Sequence, residues 1–276
     1  MALLLVLWAC ALLAVLLGGY AAVTHTEAVL ARYQLAHARA HYAAEAGLMR
    51  ALRGLHDPDA ARRWVGDGRL YTLRFGDAEL RIRAVDEAGK VDLNSASPQV
   101  LQGLFRAAGM AAQEAQALAT RVVAWRTRPE IEGTADDGAD YAAAGRHYAP
   151  RHGPFASIEE LQMVLGVTPA LYRTLAPHLT LWSGQPGPDP NVATSLALAA
   201  IPGMTPSRMQ EIIAARQRNA ADPALAVGVG VTHSVRSQAT LADGTRAVLR
   251  ATIRWQAARI GGTPYTVLRW QEGDQE

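Results

Sequence analysis

From Met1 to Val23 the chain carries no Asp, Glu, Lys, Arg or His, and no other feature constrains its fold as strongly. At 1.5 Å per residue such a run makes about 35 Å of helix, enough to cross a bilayer core of about 30 Å. A secretory signal normally has a basic n-region and an apolar stretch of about 7–15 residues. This run has no basic side chain before it and is longer, although Gly19-Tyr20-Ala21 would pass as a small-residue cleavage site. Arg32 and Arg39 follow the run, so the loop-charge rule alone would turn the remainder inward. A removed leader would change that count.

The helical signal continues past the apolar run. There is no proline between Thr24 and Leu55, and Ala, Leu, Arg and Glu dominate. Apolar side chains recur with helical period at Val29, Leu30, Tyr33, Ala36, Ala40, Ala43, Ala44 and Leu48. Gly54 and then His56-Asp57-Pro58 give a stop. The expectation is one helix of about fifty residues: a membrane segment over 1–23, then an amphipathic stalk over 24–55 that packs on a soluble domain.

With 276 residues, half of them apolar, the chain can build one or two sizeable cores. A net charge of +2 is too balanced to make nucleic acid or anionic lipid the main partner. The only cysteine, Cys10, lies in the apolar run and excludes an intrachain disulfide. Over 56–93 the stretch RLYTLRFGDAELRIRAVDEAGKVDLN alternates in period two. A turn at Gly76-Asp77 separates two strands, and Gly89 turns into a third piece at Val91-Asp92-Leu93. This reads as a small antiparallel meander.

Residues 94–220 change to helical period and contain an internal repeat: LNSASPQVLQGL (93–104) aligns with PNVATSLALAAI (190–201). Ser97 and Thr194 read as N-caps, and Pro98 takes the first helical position. Ser157 with Glu160 reads as a capping box, and Gly109, Gly166 and Gly203 mark turns between short helices. LAAIPGMTPSRMQEIIAARQ (198–217) has a helix-hairpin-helix pattern, a form that in DNA-binding proteins presents backbone N–H groups to phosphate. Its charges are Arg208, Arg216 and Arg218 against Glu211, and Thr205 occupies the usual second glycine position. That is too sparse a basic patch for strong duplex binding. Residues 221–276 read as further strands broken at Asp243-Gly244 and Gly261-Gly262.

MALLLVLWACALLAVLLGG, DLNSASPQVLQGL, VVAWR, DGADYAAAGRHYAPRHGPFASIEELQMVLGVTPALYRTLAPHLT and IPGMTPSRMQEIIAAR occur in this order along the chain. Together they resemble the K-type minor pseudopilins of type II secretion systems (general secretion pathway protein K). The resemblance implies an α+β fold: a type IV pilin-like long N-terminal helix and antiparallel sheet, with an inserted all-α domain containing helix-hairpin-helix-like repeats. It implies that Met1 is the mature N-terminus left by a prepilin peptidase. It also accounts for Leu5 where most pilin-like subunits carry Glu, because the K-type subunit is proposed to cap the filament tip. The implied protein is a non-enzymatic assembly subunit in the bacterial inner membrane, held by 1–23, with its C-terminal domain in the periplasm. Its implied partners are the I- and J-type minor pseudopilins and the major pseudopilin, met through the stalk face around Tyr33, Ala36, Ala40 and Leu48. The alternative is a membrane-anchored helix-hairpin-helix DNA-binding protein of a DNA-uptake type.

One candidate metal group stands out. Glu130, Glu132, Asp136, Asp137 and Asp140 cluster on a glycine-containing loop, a composition that suits Ca2+. The resemblance also implies calcium in the helical domain. The family's Trp-x-Asp-x-Asp pattern is replaced here by Trp125-Arg126-Thr127-Arg128, whose arginines would repel a cation. On the stalk, His37, His41 and Glu45 share one helix face, but zinc would need ligands from a second segment and no HExxH motif is present, so the group reads as a polar helix stripe. The sequence carries neither G-x-S-x-G nor a P-loop, so no catalysis is expected.

Overall fold

The structure is a computed structural model and describes residues 2–128, 137–221, 230–256 and 263–273. Helix α1 runs unbroken from Ala2 to Leu55, 54 residues or about 80 Å. It stops where Trp64 closes over Gly54: a Cβ on Gly54 would meet Trp64 Cδ2 at 2.6 Å, and the Trp64 N–H donates to the Gly54 carbonyl at 2.8 Å.

Strands β1 (Asp67–Phe75) and β2 (Ala78–Asp86) form the expected hairpin, with Phe75 opposite Ala78 and Gly76 at φ +59° in the two-residue turn. The alternation along β2 sends Leu80, Ile82 and Ala84 inward and Glu79, Arg81 and Arg83 outward. The third piece departs from the expected meander. Asp86 accepts the Ala88 N–H and starts a 3-10 turn, Glu87–Gly89, that carries the chain off the sheet. Strand β3 (Val91–Asp92) then pairs in parallel with β4 (Leu179–Thr180), inside the helical region.

The second neighbour of β2 comes from far along the chain. Strands β5 (Thr232–Thr240), β6 (Arg246–Trp255) and β7 (Tyr265–Glu272) complete an antiparallel sheet of order β1-β2-β5-β6-β7. Asp86 pairs with His233, so the chain leaves the sheet and returns to it at the same rung. Everything from Glu87 to Val231 is an insertion between two hydrogen-bonded neighbours.

There are two separate cores. In the first, Ala40, Ala44, Leu48, Ala51 and Leu55 of α1 pack on Leu80, Ile82, Val235, Leu249 and Ile253. Small side chains bring the helix close to the sheet. At Gly47 the approach is tightest, and a Cβ would meet Ser237 Oγ at 2.2 Å. The second core, around Phe105, Trp125, Leu104, Leu118 and Leu161, holds the insertion together.

The insertion is built from short helices: α2 (Pro98–Ala107), α3 (Ala112–Arg126), α4 (Asp137–Ala143), α5 (Pro169–Leu175), α6 (Ser195–Ala199) and α7 (Pro206–Ala221). Ser97 and Thr194 cap as expected, accepting from the Val100 and Ala197 N–H groups. The capping box does not form. Ser157 makes no capping bond, and Glu160 instead accepts from the Ala156 N–H, Trp125 Nε1 and Arg151. Half-buried beside an indole, that carboxylate satisfies more donors than one helix end offers.

Gly109, Gly166 and Gly203, at φ +97°, +96° and +74°, each reverse the chain ahead of α3, α5 and α7. An apolar residue follows each of them: Met110, Val167 and Met204. The region is therefore organised as repeated helix–glycine turn–helix units.

Candidate functional site

The first half of α1 is not packed against any other described element. Leu3 to Leu17 keep more than half their side-chain surface open wherever they are large and apolar, and Leu5 is 73 % exposed. This stretch is long and apolar enough to cross a membrane. Thr24, at the end of the run, satisfies its hydroxyl internally by donating to the Tyr20 and Ala21 carbonyls. Met1 lies outside the described residues.

Beyond Thr24 the apolar stripe divides. Val29, Leu30 and Tyr33 remain exposed, and Tyr33 stacks on His37 at 6.2 Å. Of the four stalk residues expected at a partner surface, only Tyr33 is open. Ala40 and Leu48 are fully buried under the chain's own sheet, and Ala36 packs against that same core. The stripe is one continuous helical face, and the sheet claims its lower half. The upper half, Val29 to Tyr33, is left open.

Glu130, Glu132 and Asp136 lie outside the described residues, as does the side chain of Asp137. Asp140 is exposed on α4, and its carbonyl accepts the Ala144 N–H. Among the described residues no group of three or more His, Cys, Asp or Glu side chains gathers, so neither the described part of the acidic loop nor His37, His41 and Glu45 form a cation cage.

Arg126 has a structural task. Its guanidinium donates to the Leu93 carbonyl at 2.6 Å and the Ala96 carbonyl at 2.5 Å. Arg216 does the same one repeat later, donating to the Pro190 and Ala193 carbonyls, the latter at 2.7 Å. Leu93 and Ala96 align with Pro190 and Ala193, so each repeat has its N-cap turn clamped by an arginine from a later helix. Burial lowers the pKa of both guanidiniums. The repeat also extends upstream. Asp92 accepts the Asn94 N–H and Asp189 accepts the Asn191 N–H, both at 2.8 Å. Sequence reasoning aligned the helices and missed these clamps. The signal was Asp-x-Asn-x-x-Ser/Thr, occurring twice.

The ends of the insertion are tied by a buried polar cluster. Asp86 accepts the Ala88 and Gly230 N–H groups, both at 2.9 Å. A Cβ on Gly230 would meet Asp86 Oδ1 at 2.3 Å, so only glycine lets the returning chain come this close. His233 Nε2 sits 3.7 Å from Asp86 Oδ2, and His56 stacks on Trp255 with centroids 4.2 Å apart. Burial raises the pKa of Asp86 and pulls both His56 and His233 down to about 4. Both imidazoles are thus neutral at pH 7. Glu87 is fully buried and holds Lys90 at 2.7 Å.

Comparison with known proteins agrees with this architecture. The model of the type II secretion system protein K family matches residues 79–184. A chain of the GspK-GspI-GspJ complex from the enterotoxigenic Escherichia coli type 2 secretion system shares the fold, with a TM-score of 0.57 at 17 % identity. The match covers 88 % of this chain and 98 % of that one. No curated protein sequence matches the chain. The stretch that matches the family model runs from strand β2 through the parallel pair.

Proposed function

We propose that the chain is a K-type minor pseudopilin at the tip of a type II secretion pseudopilus, where it initiates or caps filament assembly for protein export. It would be held in the bacterial inner membrane by 1–23, with its C-terminal domain in the periplasm. The observation that carries this reading is the insertion from Glu87 to Val231, which bears the family match and sits on a pilin-like sheet beside a long protruding helix. Pilin-like filaments bury the first half of such helices among neighbours, and a head enlarged by a whole helical domain is hard to repeat along a shaft. At a tip nothing stacks above. There a Glu at position five would find no further subunit's amino terminus, and an unpaired carboxylate in lipid costs about 2.5–3.5 kcal/mol on insertion scales. Leu5 fits that position.

The partners in this reading are I- and J-type minor pseudopilins, by analogy with the complex that shares the fold. Full-length chain mixed in detergent with those two partners should give a 1:1:1 species by light scattering. Electron microscopy showing this chain repeated along a shaft would contradict the tip role. The helix–glycine–helix units are read as structural rather than as helix-hairpin-helix DNA sites, because Arg216, one of the hairpin's three arginines, is spent on backbone carbonyls. No catalytic role is assigned. Calcium at the acidic loop would need Glu130, Glu132 and Asp136 to join Asp140. At a hundredfold excess over Kd, Ca2+ should then stabilise the chain by about 2.7 kcal/mol. Equal melting with Ca2+ and with chelator would rule it out.

A further inference from the structure

The insertion's core and the core under α1 have no residue in common. Where the insertion leaves the sheet and returns to it, polar contacts hold the junction. Asp86 accepts the Ala88 N–H from the departing root and the Gly230 N–H from the returning one, both at 2.9 Å. The Asp189 N–H donates to the Ala88 carbonyl at 2.8 Å, and the Trp255 N–H to the Val231 carbonyl at 2.6 Å. Two imidazoles are set into this junction. His233 is 1 % exposed, and its Nε2 lies 3.7 Å from Asp86 Oδ2. Among the described residues neither of its ring nitrogens has a hydrogen-bond partner. His56, just past the end of α1, stacks on Trp255 and meets His233 edge-on, with centroids 4.2 Å and 5.5 Å apart. Its Nε2 is buried and unpartnered among the described residues as well.

A buried polar group left without a partner is disfavoured, and an apolar side chain of similar size would fill the space at 233 without that cost. What an imidazole adds is a charge that appears in acid. The other charged groups that face the pair are Arg63 beside His56, and Asp86, Glu87 and Asp189 around His233. Glu87 is already held by Lys90 at 2.7 Å, and the Asp86 carboxylate by its two N–H donors. Protonating both rings puts two like charges 5.5 Å apart with Arg63 next to them. We propose that His56, His233 and Asp86 form an acid-released latch: with both rings neutral the junction stays closed and fixes the insertion on the sheet, and protonation opens it and frees the insertion to move. Opening returns each ring to water, where it titrates near 6.5 rather than at about 4. Between pH 7 and pH 5 each histidine should therefore favour the open form by up to about twentyfold. Asp86, whose carboxyl burial holds above its ordinary range, acts in the opposite sense and trims that gain. The inference rests on the cluster and its place at the roots of the insertion and does not need the secretion reading.

The test is hydrogen exchange by mass spectrometry on the full-length chain in a neutral detergent at pH 7 and pH 5, with rates corrected for the pH dependence of exchange itself. Segments 84–90 and 230–236 should lose about tenfold or more of their protection at pH 5. Segments 98–107 in the insertion and 40–50 on the stalk should keep theirs. His56→Gln and His233→Gln, which cannot take up the charge, should each shrink the loss at the roots. His56 is half-buried, so its variant carries the test if His233→Gln does not fold. Spin labels on Glu79→Cys of β2 and Glu114→Cys of α3, with Cys10→Ser, should give a distance distribution that broadens at pH 5 and narrows again at pH 7. Equal loss of protection in all four segments, no loss at the roots, an unchanged loss in the histidine variants, or one distance distribution at both pH values would each overturn the proposal.

Discussion

The two halves of α1 share one backbone and have opposite surroundings. Residues 36–55 put alanines and leucines onto the sheet, where Ala40, Ala44, Leu48, Ala51 and Leu55 are fully buried. Residues 2–35 carry side chains just as apolar and leave them open. In water the second arrangement would be unfavourable by the same area law that stabilises the first. The difference shows that helix formation here is not the chain's own tertiary product throughout. The lower half is specified by a core within the molecule, and the upper half has no such core among the described residues.

That contrast can be broken most severely at Leu48. Leu48→Ala leaves a cavity between α1 and the sheet and should cost about 3 kcal/mol in denaturant unfolding of the detergent-solubilised chain. Leu30→Ala, on the open half, should change it by less than about 0.5 kcal/mol. Similar losses at both sites would mean that the halves are not different.

Acid should act on the lower half alone. His56 and His233 titrate near 4 in the folded chain against an ordinary value of 6.5. The unfolded chain therefore takes up protons first, and stability present above pH 6.5 is lost as pH falls from there towards 4. Asp86, raised by burial, acts in the opposite sense and softens the loss. His233→Gln should flatten the dependence of melting temperature on pH across that window. An unchanged slope would remove the histidines from the account.

Two glycines on the same helix give a smaller and sharper comparison. Alanine is the better helix former by about 1 kcal/mol at an interior position. At Gly18 a Cβ meets nothing within 4 Å, so Gly18→Ala should leave the head's stability unchanged. At Gly47 it meets Ser237 Oγ at 2.2 Å and Ile82 Cδ1 at 3.3 Å. There Gly47→Ala should lose about 1 kcal/mol, reversing the sign of the propensity. The smallest expected effect is the most informative about the anchor. Deleting 1–23 should release a folded chain from the membrane fraction with its melting temperature unchanged. A truncated chain that still pelleted with membranes would refute the anchor.

Much of this was legible in the residues. The uncharged run, the unbroken helix and its stop near Gly54 follow from local composition. The hairpin at Gly76-Asp77 and the caps Ser97 and Thr194 follow from turn and cap chemistry that works over a few residues. What was not legible depends on distant partners. The alternation through Asp86 does not reveal that its next neighbour is His233, and nothing local shows that Val91-Asp92 pairs with Leu179-Thr180. The helical period of Tyr33, Ala36, Ala40 and Leu48 identifies one face correctly and is silent on where the sheet beneath it ends. Arg126 reads as a charge beside an acidic loop, yet its guanidinium bonds to carbonyls some thirty residues back in the chain.

The central claim is that the helix segment just outside the membrane run is left open for other subunits. Hydrogen exchange on the full-length chain in detergent measures this directly, alone and with the I- and J-type pseudopilins added. The account predicts that amides of residues 40–55 exchange slowly in both samples, while those of 26–35 exchange much faster alone and become protected in the mixture. Residues 26–35 that were equally protected in the isolated chain, or unchanged when the partners are added, would contradict it.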